Sequence, residues 1–460
     1  MKFANFTSAQ WKRFIIIDII ILAAILLAFF GMRWYEEHAT PVEEAKGMVT
    51  IEKWVTPNGL KVYFTPARQL PMVDMRLVFN AGSAQDKDKP GIAQLTSSLL
   101  LDGTKTKSAD EIAQAFENNA ILIDASASRD YATISMRSLT DEKVFSTAIQ
   151  LLTEILQTVD FPVDAFAREQ QQLLTAIEYK AQDPQSLGED LFFSTLYGNQ
   201  VYGSPITGTK DSVTQLKRQD VQQFYASHYV ADNSVLVLVG DLSLSEAKKI
   251  AKTIDAALMP GKAPPKPEMV IKAASLEAKK LEFPSTQTHL FIGQLGINRH
   301  SPDYFPLLVG NHILGGSGLV SILFKEVRES RGLVYTVSSS FSPLQANGIF
   351  LINLQTRTTE TQNALQVVGE TVNNFVKNGP TQQQLDAAKD NIMGGFPLRI
   401  ASNGLITDFL TTMAYYDLPL DYLNTFTDKI NAVTLEQVKE AFAKNVQPDN
   451  MLVVEVGKVE

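Results

Sequence analysis

The sequence predicts an α+β protein of two homologous halves, each with an antiparallel or mixed sheet covered by helices, behind an N-terminal transmembrane helix. Three observations support this fold class. The order of strand and helix patterns in residues 48–259 recurs in residues 273–460. The linker between them, residues 260–272, begins with a segment rich in proline and lysine. An apolar run near the N-terminus is long enough to span a bilayer.

Residues 14–32 are the predicted transmembrane anchor. The run from Phe14 to Gly31 is almost entirely apolar and approaches the roughly 20 residues that a spanning helix needs. Trp11 and Trp34 flank it, where aromatic belts lie. A cleaved signal peptide is the alternative, but its apolar core has only about 7–15 residues and ends at small residues. Asp18 interrupts the run, either as a hydrated carboxylate near the headgroups or as a contact with a partner helix.

The charges around the anchor predict its orientation. Lys2, Lys12 and Arg13 precede it, whereas Arg33 and then Glu36 and Glu37 follow it. The positive-inside rule therefore places residues 1–13 in the cytoplasm. Beyond a polar tether, residues 33–47, the bulk of the chain is expected outside the cytoplasm, with the bacterial inner membrane and periplasm as the best fit.

Composition excludes several classes of function. The chain of 460 residues has 41 basic and 50 acidic residues, a net charge of −9, and lacks the basic face of a nucleic-acid binder. It has no cysteine, which excludes disulfides, thiolate metal sites and a cysteine nucleophile. No two of its five histidines have the spacing of helical metal ligands, so no metal site is predicted from them.

Alternating and helical apolar patterns define the elements of the first half. A hairpin turns at Pro57-Asn58-Gly59, and Ser108 with Glu111 forms a capping box at the start of a helix. The remaining predicted elements are strands at 72–80, 120–126, 131–139 and 233–241, and helices at 91–101, 108–118, 142–159, 163–182 and from 245.

The second half repeats this order. Its last strand, Asn450–Gly457, resembles Asn233–Gly240 at the end of the first half, which indicates two homologous units of about 200 residues. The predicted elements are strands at 289–294, 334–341, 348–355 and 450–457, and helices at 304–314, 319–329, after 359 and after 381.

Three local patterns carry a family resemblance by their order and spacing. The first is Asn80-Ala-Gly-Ser-Ala84 with Gly91-Ile-Ala93 and Asp102-Gly-Thr104; the second runs from Tyr229 to Asp241, and the third from Phe324 to Tyr335. From about Thr50 to its end, the chain resembles the pitrilysin/insulinase peptidases, a family that includes mitochondrial processing peptidases and core subunits of the respiratory cytochrome bc complex.

The resemblance implies that the zinc site of this family is missing. Active members have H-x-x-E-H after Gly-Ile-Ala, with two histidine ligands and a glutamate base. Gln94, Ser97 and Ser98 occupy those positions, and Ala176 occupies that of the third ligand, a glutamate. Glu178 lies about 200° further round the helix. None of these residues replaces the zinc ligands, so the chain is expected to hold no cofactor and to be inactive alone.

The resemblance also assigns a role to residues of the second half. In the family, an arginine and a tyrosine matching Arg328 and Tyr335 hold the substrate carbonyl and backbone beside a zinc ion bound by the other half of the chamber. A phenol and a guanidinium stabilise the negative charge that develops there. By the two-residue period of a strand, Tyr335, Val337 and Ser339 are expected to share one face towards a cavity.

A glycine-rich loop precedes this pair. Gly315, Gly316, Ser317 and Gly318 resemble a family segment near the substrate opening, and substrate contact is the predicted role. A phosphate-binding loop is the alternative, but the Lys-Ser/Thr that follows such loops is absent.

The leading functional hypothesis is the non-zinc subunit of a heterodimeric metallopeptidase. The fold implied by the resemblance is a half-shell, and a homologous partner would contribute the zinc and the second shell around unfolded peptides. A catalytically silent scaffold or peptide-binding chamber is the alternative. A serine hydrolase using Ser97 or Ser98 is disfavoured because no G-x-S-x-G elbow occurs.

Overall fold

A computed structural model of the protein describes residues 40–265 and 277–458. The predicted anchor, residues 14–32, lies outside these ranges, as do residues 33–39 of the tether and 266–272 of the linker. No helix within them is both long and apolar enough to cross a membrane.

Seven strands form the first sheet, in the spatial order β1-β2-β3-β7-β4-β6-β5. Neighbours are antiparallel except for the parallel pair β3 and β7. The strands are β1 (Glu43–Ala45), β2 (Ile51–Val55), β3 (Lys61–Pro66), β4 (Met72–Phe79), β5 (Leu122–Ala127), β6 (Ala132–Leu139) and β7 (Ser234–Gly240). β1 is formed by the end of the predicted tether, which is polar and too short to show an alternating pattern.

Five strands form the second sheet, in the order β10-β11-β9-β12-β8, with β12 and β8 parallel. They are β8 (Lys279–Glu282), β9 (Gln287–Leu295), β10 (Val334–Ser342), β11 (Ile349–Arg357) and β12 (Leu452–Gly457). Read from β8 to β10, this order matches β3-β7-β4-β6-β5 of the first sheet, and the parallel pair (β8 and β12, β3 and β7) stands at the same place in both. The predicted α+β class, with mixed sheets covered by helices, is confirmed.

The α-helices pack around the two sheets. Ser108 and Glu111 form the predicted capping box at the start of α2. The helices are α1 (Ile92–Ser98), α2 (Ala109–Glu117), α3 (Glu142–Thr158), α4 (Val163–Lys180), α5 (Pro184–Tyr197), α6 (Lys210–Gln215), α7 (Arg218–His228), α8 (Leu244–Ala257), α9 (Tyr304–Asn311), α10 (Thr361–Asn378), α11 (Gln382–Gly395), α12 (Asn403–Tyr415), α13 (Phe426–Ala432) and α14 (Leu435–Asn445).

The two halves exchange one helix each. Helix α5 belongs to the first half but packs on β9 and β12 of the second sheet. Its residues Phe192 and Leu196 are buried in one apolar cluster with Phe291 and Val454. A Cβ added at Gly188 would lie 2.0 Å from Cε2 of Phe291, so the glycine permits this close approach of helix to sheet.

Helix α12 of the second half makes the reciprocal contact on the first sheet. It packs on β4 and β7, where its Leu410 and Met413 are buried with Val78 and Val237. Each sheet therefore completes its core with a helix from the other half.

A buried carboxylate lies where the halves meet. Asp130, in the turn between β5 and β6, accepts hydrogen bonds from the hydroxyl groups of Tyr202 and Tyr416 and from the backbone N–H of Gln345. Burial raises the pKa of Asp130, and these donors oppose the rise. Because Tyr416 and Gln345 belong to the second half, Asp130 joins the two halves at the ends of both exchanged helices.

The exchange predicts the effect of filling the contact at Gly188. Gly188→Ala is expected to lower the free energy of unfolding by about 1–3 kcal/mol, because the added methyl overpacks the core against Phe291. Gly369→Ala is the matched control, since Gly369 lies in α10 with open space around it and alanine should stabilise that helix by up to about 1 kcal/mol. Urea unfolding of the full chain measures both; equal stabilities would contradict the close contact.

Candidate active site

Helix α1 carries the positions of the inverted zinc motif. The carboxylate of Asp86 holds the start of this helix, accepting hydrogen bonds from the backbone N–H groups of Gly91 at 2.7 Å and Ala93 at 3.0 Å. Burial raises the pKa of Asp86 to about 8. The helix packs against β5, β6 and α4, so its position relative to the edge strand β5 is fixed.

The structure brings Gln94 and Ser98 together on one face of α1. The side-chain amide of Gln94 donates to Oγ of Ser98 at 3.4 Å, and that hydroxyl donates to the carbonyl of Gln94 at 3.2 Å. Ser97 is fully buried. Burial raises the pKa of Tyr229, and the hydroxyl of Ser97 beside it opposes the rise.

The third position of the motif offers no ligand either. Ala176 is exposed on α4, the helix that packs against α1. Glu178 is also exposed and forms an ion pair with Lys210 at 2.8 Å. Among residues 40–265 and 277–458, no group of three or more histidine, aspartate or glutamate side chains could hold a metal ion.

Arg328 and Tyr335 lie together in the second half. Arg328 belongs to a π-helical turn, Phe324–Glu329. Its guanidinium carbon lies 5.2 Å from the centre of the Tyr335 ring and 4.7 Å from that of Phe324. Tyr335 is 74% exposed. An exposed tyrosine held against an arginine by a rare helical turn is a candidate site, because π-helical turns are frequent at functional sites.

The prediction that Tyr335, Val337 and Ser339 share one face is wrong. Val337 and Ser339 are buried, whereas Tyr335 points outwards. The cause is a β-bulge in β10: Val334 pairs with Thr356 and Val337 with Leu354, so β10 has one residue more than β11 between these pairs. The extra residue breaks the two-residue alternation and turns Tyr335 to the other side.

The glycine-rich loop is docked on the same strand. The predicted helix 304–314 ends earlier: α9 stops at Asn311 and a π-helical turn, His312–Gly316, follows. The side-chain amide of Asn311 donates to the carbonyl of Ser339 at 3.0 Å, and the Ser339 hydroxyl donates to Oδ1 of Asn311 at 2.7 Å. A Cβ added at Gly315 would lie 2.4 Å from Oγ of Ser339. The loop and the strand of Tyr335 are therefore joined by a buried pair that the sequence analysis did not identify.

The rest of the loop projects from this docking point. Gly316 and Ser317 complete the turn, and Gly318 has φ of 62° with open space around it. Leu319 and Val320, which follow, are exposed. The predicted helix 319–329 is consequently shorter, with a 3₁₀ turn at Gly318–Val320 before the π-helical turn that holds Arg328.

The chemistry of these two places defines a class of protein. In the first half, amide, hydroxyl and methyl groups occupy the positions at which the family resemblance predicts zinc ligands. The second half carries an exposed tyrosine, Tyr335, beside a half-buried arginine, Arg328. The class is a peptidase-like chain without zinc ligands.

The family follows from comparison with known proteins. Residues 64–210 match the family model described as insulinase (peptidase family M16), and residues 215–392 match the one described as the peptidase M16 inactive domain. The chain belongs to the M16 family of insulinase- and pitrilysin-type peptidases. A crystal structure of a peptidase M16 inactive domain from Pseudomonas fluorescens is 40% identical, with a TM-score of 0.86 over 89% of this chain and 98% of that one.

More distant relatives differ in what they are named. A "non-peptidase homolog" from Helicobacter pylori is 29% identical over 81% of this chain and 85% of its own. An "uncharacterized zinc protease" from Bacillus subtilis is 25% identical over 84% of this chain and 94% of its own. A chain of complex III₂ from Candida albicans shares the fold, with 18% identity and a TM-score of 0.71 over 91% of this chain and 96% of that one.

The buried pair that docks the loop predicts a difference between neighbouring serines. Ser339→Ala is expected to lower the free energy of unfolding by about 1–3 kcal/mol, because it leaves the buried amide of Asn311 with an unsatisfied oxygen. Ser338→Ala, on the exposed side of the same strand, should stay within about 0.5 kcal/mol of wild type. Urea unfolding curves compare the two; an equal effect would mean that the pair does not hold the loop.

Proposed function

We propose that this chain is the non-zinc subunit of a heterodimeric metallopeptidase that processes or degrades peptides. A homologous partner holds the zinc ion, and this chain contributes Arg328 and Tyr335 to the partner's site. The observation that carries the proposal is the exposed Tyr335 held beside the half-buried Arg328, in a chain with no histidine or glutamate at the predicted zinc-motif positions.

The chemistry of the pair suits this division of labour. The Tyr335 hydroxyl makes no hydrogen bond to another described residue. The guanidinium of Arg328 lies over the rings of Phe324 and Tyr335 and makes no ion pair or hydrogen bond with a described residue. Both keep N–H or O–H donors for a substrate carbonyl. A zinc ion held by the partner would supply the activated water, and the donors of Arg328 and Tyr335, already in place, would stabilise the negative charge that develops on the substrate carbonyl oxygen without reorganisation.

The substrates we propose are unfolded peptides. Strand β5 lies beside α1 and, within the described part of the chain, pairs on one side only, with β6. A peptide can add to such an edge as another strand, through backbone hydrogen bonds that do not depend on sequence. The half-shell implied by the family resemblance would enclose this edge, with Gly315, Gly316, Ser317 and Gly318 at the opening.

The location is part of the proposal and comes from the sequence. The anchor predicted at residues 14–32 would hold the chain in the inner membrane, with residues 33–460 on the periplasmic side. The peptides within reach would then be fragments of exported or membrane proteins.

A silent scaffold or peptide-binding chamber of the same fold is the second candidate. The hydrogen bond between Gln94 and Ser98 on α1 fits both candidates, since neither needs zinc in this chain. The name "non-peptidase homolog" of the Helicobacter pylori relative favours the scaffold. In that case neither Arg328 nor Tyr335 has a catalytic task.

The test is purification of the anchored chain from native membranes, with assays for bound zinc and for chelator-sensitive cleavage of a quenched peptide. Tyr335→Phe is expected to lower kcat about 10²–10³-fold with little change in KM, because it removes one donor to the developing negative charge and keeps the ring under Arg328.

Tyr179→Phe is the matched control, since Tyr179 is comparably exposed on α4, and it should leave kcat unchanged. If no zinc-bearing partner copurifies, or if Tyr335→Phe cleaves at the wild-type rate, the scaffold replaces the peptidase subunit as the function.

A further inference from the structure

The free edge of β5 carries an unpaired carboxylate. The two-residue period of the strand turns Ile123 and Ala125 towards the core beneath α1, and Leu122, Asp124 and Ser126 to the opposite, exposed face. The neighbouring strand β6 places Arg137 opposite Leu122 and Ser135 opposite Asp124. Asp124 therefore lies in the middle of the edge at which a peptide would pair.

Other charged groups on this face are already paired. Arg137 donates to both carboxylate oxygens of Asp74, at 2.7 and 3.1 Å. Arg76 donates to Asp408 at 2.6 Å and to the hydroxyl of Ser135 at 3.0 Å. Asp124 forms no ion pair or hydrogen bond through its side chain with any residue in the described ranges. Its negative charge is available to a side chain added at the edge.

The space beside Asp124 is open. Helix α12 packs on β3, β4 and β7 of this sheet. It does not extend over β5. A cavity of about 160 Å³ remains, and its lining includes Leu122 and Asp124 of β5, Arg137 of β6 and Gly404 and Thr407 of α12. Side chains of a strand added beyond β5 would alternate between this cavity and the face of α1.

We infer that Asp124 selects a basic side chain in the peptide that pairs with β5, with an apolar side chain two residues away opposite Leu122. The inference rests on the peptide binding in the proposed function and adds a sequence preference to it. Directly opposed residues of neighbouring strands attract when their charges are opposite and repel when they are alike. Lysine or arginine is favoured opposite Asp124, and aspartate or glutamate is disfavoured.

The test is binding of ten-residue fluorescein-labelled peptides to the purified full chain, with any copurifying partner retained. Valine at odd positions alternates with serine at even positions. The valine at position five is replaced by lysine, glutamate or serine in three separate peptides. Wild type is expected to bind the lysine peptide about fivefold more tightly than the glutamate peptide, and this ratio should shrink in high salt. Asp124→Lys should reverse the order, and Asp124→Asn should remove the preference.

Glu440→Lys is the matched control. Glu440 is exposed on α14 of the second half, and its reversal changes the net charge by the same amount while leaving β5 untouched. It should keep the wild-type preference. If Asp124→Lys keeps that preference, if Glu440→Lys loses it equally, or if no peptide binds, the inference is overturned.

The outcomes separate this inference from the proposed function. Preference for lysine without zinc-dependent cleavage leaves Asp124 as the selecting residue of a peptide-binding scaffold, and the peptidase subunit fails. Zinc-dependent cleavage with identical rates for the lysine and glutamate peptides leaves the peptidase subunit and removes the role of Asp124.

Discussion

The exchange of α5 and α12 between the sheets is the constraint on which the rest of the molecule depends. Each sheet is mixed and would expose one apolar face without the helix that the other half supplies. The contact at Gly188 and Phe291 makes one of these helices approach closely, and Asp130 joins the segments at which both helices end. The halves are therefore fixed relative to each other, and so are β5 in one half and β10 in the other.

The candidate site uses irregular backbone on this fixed frame. Two π-helical turns and a β-bulge occur within residues 312–337 of the second half. Each one departs from regular geometry and is retained only where surrounding packing specifies it. Here the packing is the buried pair of Asn311 and Ser339, which ties the glycine-rich loop to β10. In the first half, α1 carries the positions predicted for the zinc motif and continues into a 3₁₀ turn at Leu99–Leu101.

Strong periodic patterns made much of the fold predictable. The capping box at Ser108, the strands before each helix pair and the repeat that ends in β12 are all encoded locally. The exchange of α5 and α12 is not, because an apolar helix face does not specify which sheet it covers. The face of Tyr335 was mispredicted for a related reason: a bulge adds one residue that no alternating pattern announces. The pairing of Arg328 with Tyr335 came from the family resemblance, whereas Asp124 needed the strand order to be noticed.

Helix exchange also sets the order in which the chain can complete its fold during synthesis. The apolar face of α5, with Phe192, Phe193 and Leu196, needs β12 as well as β9, and β12 begins only at Leu452. At roughly 5–20 residues per second, that face waits tens of seconds for its partner strand. A chain truncated before β12 would leave the apolar face of α5 exposed in the first half. Exposed apolar surface of this kind is recognised by chaperones and proteases.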